Sequence, residues 1–166
     1  MLIVDAQVHL WANNVPANPG HRQIPDFSAD DLLKEMDESG IDAAIIHPPS
    51  WDPGSDGLAL EAARAHPNRL SILGKIPLEQ AGSRSLVDGW LGQPGMLGFR
   101  FSFTQPHQAT WPTDGTMDWL WPEVERLGIP VALMASNCMS MVAPIAERYP
   151  GVKLIVDHLG RTGGKT

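Results

Sequence analysis

The sequence contains one cysteine, Cys138, so no internal disulfide can form and the chain suits a reducing cytoplasm. Cys138 sits between Asn137 and Met139, with no charged neighbour to activate it as a nucleophile. No apolar run approaches the roughly 18 residues that a membrane span needs. No basic stretch followed by an apolar one opens the chain, so no secretory leader is expected. Positive charge is scarce: 12 Lys and Arg against 19 Asp and Glu give a net charge of -7. That balance argues against nucleic acid or an anionic membrane as partner, since both reward clustered basic residues. A small-molecule substrate is the remaining expectation.

What is present is a rhythm. At 166 residues the chain is long enough for one ordinary domain with a sizeable core. Short β-rich runs alternate with amphipathic, helix-like stretches, without a low-complexity linker. The spacing predicts strands over Leu2–His9, Ala43–His47, Leu70–Lys75, Met96–Phe101, Pro130–Met134 and Val152–Val156. Helices are predicted over about 29–39, 57–65, 83–91, 117–127 and 139–148. Ser28 is the expected N-cap of the first, Asp30 and Asp31 suit its positive end, and Gly40 is a natural C′ residue. Gly128 should stop the fourth helix, and Pro144 should kink the fifth.

Strict βαβα alternation with mostly apolar strands indicates a parallel sheet flanked by helices. A dinucleotide-binding open sheet would carry a Gly-rich turn directly after its first strand, and polar residues stand there instead. His9, His47, Arg100 and His158 all fall at the ends of strands, where a (β/α)8 TIM barrel places its functional groups. The expected architecture is therefore an incomplete barrel of about six parallel strands, one domain over residues 1–166. A complete barrel needs about 200 residues or more. Six strands alone would leave an exposed parallel edge that admits homo-oligomerisation.

The first strand carries the strongest signal. In Asp5-Ala6-Gln7-Val8-His9, alternate residues share a face, so Asp5, Gln7 and His9 project together. Three polar groups on one face of an otherwise buried strand cost too much desolvation to be idle packing. His-x-His at this spacing would offer two imidazoles to one metal ion, but Gln7 stands in the first position. Asp5 is expected to brace the backbone rather than to act chemically. Trp11, Trp51 and Trp111 lie in loops after strands, where they can wall a substrate or pack loop on loop. His47, before Pro48-Pro49, either lines the pocket or fixes its loop, and His66 is expected to be structural. His21 and His107 are expected in loops, facing solvent or a lid. Arg100 and the pair Asp157-His158 each admit a structural reading beside the functional one. The terminal Gly163-Gly164-Lys165-Thr166 is not a phosphate-binding loop, because that motif needs its first glycine at Leu159.

Asp5-Ala6-Gln7-Val8-His9-Leu10-Trp11, Gly98-Phe99-Arg100 and Val156-Asp157-His158-Leu159-Gly160, in that order, resemble the amidohydrolase-related family of the metal-dependent amidohydrolase superfamily. The branch concerned holds sugar-lactone and dicarboxylate-lactone hydrolases. The resemblance covers the whole chain, equivalent to about the first two-thirds of a family member. It implies a lactonase-like hydrolase opening a small carboxylated or sugar-type lactone with activated water. His9, His158 and Gln7 would be catalytic, His9 and Gln7 as donors to the carbonyl and His158 orienting substrate or water. Arg100, His47 and Trp11 would bind substrate. His9 and His158 would be metal ligands only if a metal is bound; a strand-five histidine, due near Met134 or Ser136, is absent. Zinc prefers about four N, O or S ligands, so a metal-free reaction is the expectation. The family's usual base, a strand-eight aspartate, would fall beyond residue 166, which makes a chain of this length nearly inactive. The same family also implies the alternatives, a zinc-dependent decarboxylase of an aromatic or muconate-type acid and a non-catalytic remnant.

Overall fold

The computed structural model describes residues 1–134 and 139–161; Cys138, Ser136 and the terminal Gly163-Gly164-Lys165-Thr166 lie outside the described residues. The elements follow one another as β1 (Val4–Val8), α1 (Ala29–Ser39), β2 (Ala43–Ile46), α2 (Ser55–Ala65), β3 (Leu70–Gly74) and α3 (Ser83–Asp88). Then come β4 (Met96–Phe101), α4 (Leu120–Leu127), β5 (Val131–Leu133), α5 (Met139–Arg148) and β6 (Leu154–Val156). The chain divides into two compact units, Met1–Gly74 with Gln93–Met96, and Lys75–Gly92 with Leu97–Thr166.

In the first unit β1 pairs with β2 and β2 with β3, both parallel, with Val4 opposite Ala43 and Ile45 opposite Ser71. The ladder between β1 and β2 slips between Asp5 and Val8. Helix α1 forms because its ends are chemically defined. Ser28 Oγ accepts from the Asp31 amide (3.2 Å) and Asp31 Oδ2 accepts from the Ser28 amide (3.0 Å), a complete capping box. Leu32 and Met36, four residues apart, are its buried face. Gly40 closes the helix at φ 70°, where a side chain would be strained. The core gathers Leu32, Met36, Ile46, Ala59, Leu70 and Ile72, and a fully buried isoleucine contributes about 1.5–3 kcal/mol by leaving water.

In the second unit β4, β5 and β6 are parallel in sequence order, with Arg100 opposite Ala132 and Ala132 opposite Ile155. Trp90 packs on Phe99 (ring centroids 4.3 Å) and its indole N–H donates to the Gly98 carbonyl (3.0 Å), so its polar edge is satisfied inside the core. Helix α4 presents Leu120, Trp121 and Val124 inward and ends at Gly128. Pro144 lies inside α5 as expected.

Three expectations are corrected. The first strand was expected to be buried, yet Val4, Asp5 and Ala6 are exposed and only Gln7, Val8 and His9 are partly covered. Among the described residues β2 is its only ladder partner, so one long side of the strand meets no other strand. Helix α4 starts at Leu120 rather than 117, because a start at 117 would put Pro122, which has no N–H, in the helix interior. Helix α2 starts earlier, at Ser55, because Ser55 Oγ donates to the carbonyls of Pro49 (3.0 Å) and Asp52 (2.7 Å) and organises the turn ahead of it.

Candidate active site

His9 follows the last residue of β1, and the backbone of the next strand holds its ring. Its Nδ1 lies 2.6 Å from the carbonyl oxygen of His47, just past β2, while the His47 amide donates to Val8 O (2.8 Å). A carbonyl only accepts, so Nδ1 carries the proton, and a neutral imidazole then has Nε2 as its acceptor nitrogen. The donor role expected for His9 toward a substrate carbonyl would call on its imidazolium form. His21 stands nearby, with ring centroids 5.7 Å apart. His9 lines a cavity of about 300 Å³ together with Asp5, Val8, Phe27, Glu35 and Arg22. Arg22 bridges to Glu35 through both terminal nitrogens (2.5 and 3.2 Å) and covers the Phe27 ring at 5.0 Å. Hydrogen bonding to Glu35 raises the Arg22 guanidinium above even its ordinary range.

The other predicted residues of this unit take varied roles. Asp5 Oδ1 accepts from the Gln7 amide (3.0 Å), the bracing role expected of it. Gln7 is partly buried on the same strand. The His47 ring is buried (2 % exposed), and the backbone of His47 ties the ends of β1 and β2 together. Trp11 is also buried, packed on Phe27 (5.2 Å) and edge-on to Trp51 (5.7 Å), with its N–H on the Ile24 carbonyl (2.9 Å). It joins loops and lines the His9 cavity at the same time. His66 ends α2 through its backbone, as expected of a structural residue.

In the second unit Arg100 Nε donates to Asp157 Oδ2 at 2.7 Å, with side chains 14 % and 3 % exposed. Asp157, expected beside His158 as a strand-ending pair, is instead the partner of Arg100. The two are 57 residues apart, and only the strand register brings them together. His158 itself is exposed, in a left-handed turn (φ 52°) shared with Leu159 (φ 56°). Two consecutive residues with side chains in that region cost about 1 kcal/mol each or more. Asp52 was missed altogether: it is 5 % exposed and accepts from the amides of Ala12 (3.1 Å) and Gly54 (2.9 Å). Its signal was the Asp52-Pro53-Gly54 turn, where an Asp side chain bonds the backbone two residues on.

The sequence matches the amidohydrolase family model over residues 4–165. The chain belongs to the amidohydrolase family. No curated protein matches it. Among solved structures it is similar to an amidohydrolase from Burkholderia multivorans with bound zinc, at 18% identity and TM-score 0.78, covering 97% of this chain and 59% of that one. It is also similar to a probable 2-pyrone-4,6-dicarboxylic acid hydrolase from Acinetobacter baumannii with citric acid bound (17%, TM-score 0.70, 96% and 59%). A third likeness is to IDCase from Metarhizium anisopliae in apo form (10%, TM-score 0.72, 96% and 65%). The family fold is thus a (β/α)8 barrel, of which this amidohydrolase chain carries six strands and, among the described residues, five α-helices, in the alternation that the sequence indicated. The chain spans 59% of the length of the first two of these relatives.

A metal of the kind bound in the Burkholderia protein fits this donor set poorly. On the first strand Gln7 offers an amide where the motif would offer an imidazole. Among the described residues no group of three or more His, Cys, Asp or Glu could hold a metal ion.

Proposed function

We propose that this amidohydrolase opens a small carboxylated or sugar-type lactone with activated water, with His9 as the base. The observation that carries the reading is the 2.6 Å contact of His9 Nδ1 with the His47 carbonyl, which fixes the tautomer that a base requires. His9 Nε2 takes a proton from water as the water oxygen bonds the lactone carbonyl carbon. The ring C–O bond then breaks, and the imidazolium returns the proton to the departing ring oxygen, leaving an open hydroxy acid. Among the described residues His9 is the candidate for the role that the family resemblance gives to a strand-eight aspartate. Within the second unit, Arg100 is the residue suited to a carboxylate, since a guanidinium binds that group in two parallel hydrogen bonds while Nε stays on Asp157. The probable 2-pyrone-4,6-dicarboxylic acid hydrolase among the similar structures supports the choice of substrate class.

The test is a panel of carboxylated and sugar lactones incubated with the purified chain in the presence of a chelator. Ring opening is followed by absorbance or by acid release, and carbon dioxide is measured in parallel. The expected result is opening of at least one carboxylated lactone above the buffer rate, with no carbon dioxide. Metal-dependent release of carbon dioxide from an aromatic acid would instead favour the decarboxylase alternative. Failure of the whole panel would favour the non-catalytic one.

A further inference from the structure

Resting on the reading of His9 as the base, we infer that Asp52 is the positioning residue that sets the His9 ring. The segment from His47 to Asp52 grips the segment from His9 to Ala12 at both ends. At one end the His47 carbonyl holds the His9 ring (2.6 Å); at the other the Asp52 carboxylate holds the Ala12 amide (3.1 Å). Asn14 adds a third point, its side-chain amide donating to Trp51 O at 2.9 Å.

The gripping segment is stiff for a sequence reason. Pro48 and Pro49 fix two successive φ angles between His47 and Asp52, and Pro53 fixes the next residue. Ser55 Oγ, itself fully buried, ties the carbonyls of Pro49 and Asp52. Asp52 uses both carboxylate oxygens, Oδ2 on Ala12 and Oδ1 on Gly54. A carboxylate suits this because it accepts at both atoms, whereas an asparagine would turn an N–H toward one of the two amides. The rigid loop after β2 is thus a template on which the chain leaving β1 is laid. Among the described residues Asp52 is the one side chain joining the two segments through a charge-assisted hydrogen bond. It acts through Ala12, three residues past His9, and touches no reacting atom.

Asp52→Asn and Asp52→Ala test this, with Ser55→Ala as the control that loosens the same loop without touching Ala12. The readout is nitrogen-15 NMR of the His9 ring, which reports the proton on Nδ1 and its exchange with water and needs no substrate. The wild type should show a single Nδ1–H tautomer with a protected proton. Asp52→Ala should speed exchange of that proton at least 10-fold and mix the tautomers. Asp52→Asn, which keeps shape and one acceptor, should fall between. Ser55→Ala, which loosens the loop but leaves the Asp52–Ala12 hydrogen bond, should change the ring signal far less than Asp52→Ala even where its unfolding midpoint drops. A wild-type ring signal in both Asp52 variants would overturn the inference, as would equal loss in Ser55→Ala. Because the signal is read without turnover, failure of the lactone reading leaves this result separately decidable. Where a substrate turns over, Asp52→Asn should lower kcat about 10-fold with KM little changed.

Discussion

At Arg100 the guanidinium and the Asp157 carboxylate meet at 2.7 Å with little exposure on either side. Removing one member of such a pair strands the other charge, which costs far more than the pair itself contributes. Asp157→Ala should therefore lower stability by about 3 kcal/mol in denaturant unfolding. Arg22→Ala, which breaks an exposed pair with Glu35, should leave the midpoint within error, because solvent screens both partners. A pH effect belongs at the first helix cap. Hydrogen bonds from the Ser28 side chain and backbone hold the Asp31 carboxyl below its ordinary range. A carboxyl depressed in the folded state adds stability at neutral pH and loses it as pH falls through the folded value. Ser28→Ala should thus lower the midpoint at neutral pH and flatten the further loss seen below about pH 4. Residues at strand ends were legible in the sequence because alternation locates strand ends. Arg100 with Asp157 was not, because 57 residues separate them and only the ladder from β4 through β5 to β6 brings them together.

Among the elements, two glycines should respond in opposite directions. Gly95 has φ 79°, and a Cβ there would run into the Ala63 side chain of α2, beside Ile72 of β3. Its carbonyl also accepts from the Ile72 amide at 2.7 Å, so the backbone cannot shift freely. Gly95→Ala should cost about 2–4 kcal/mol, from backbone strain and overpacking together. Gly57, in the first turns of α2, has open space around it. Gly57→Ala should raise stability by about 0.5–1 kcal/mol, by helix propensity. Both are read from thermal or denaturant midpoints. Helix α1 could be read from sequence to its exact ends because cap, charges and terminal glycine are all local. The start of α4 could not, since Met117 and Leu120 keep the apolar period while Pro122 quietly moves the boundary. That some edge is open followed from the count of six strands, but that β1 is exposed did not, because an apolar strand announces its own pattern and not the number of its neighbours.

At the scale of the whole molecule, Leu2 and Ile3 just before β1 and Val4 at its start are exposed by 74%, 42% and 44%. Apolar edges of this kind invite pairing between copies, which a charge at the edge opposes. Leu2→Lys should reduce concentration-dependent association in light scattering or sedimentation; unchanged association would show that this edge is not involved. No helix among the described residues is long and apolar enough to cross a membrane. The parallel α/β architecture was legible because strands and helices alternate in the sequence, and the family because the motifs ending strands one, four and six stand in order within the matched residues 4–165. The tautomer of His9 was not, since it depends on the His47 carbonyl, 38 residues away. That tautomer is also where the chemistry stands or falls. The decisive measurement is the rate of opening of a carboxylated lactone, in chelator, by the wild type and by His9→Gln. The account predicts turnover that chelator does not touch and that falls by about 10²-fold or more in the variant. Equal rates in the two proteins, or a wild-type rate that vanishes with the chelator, would contradict it.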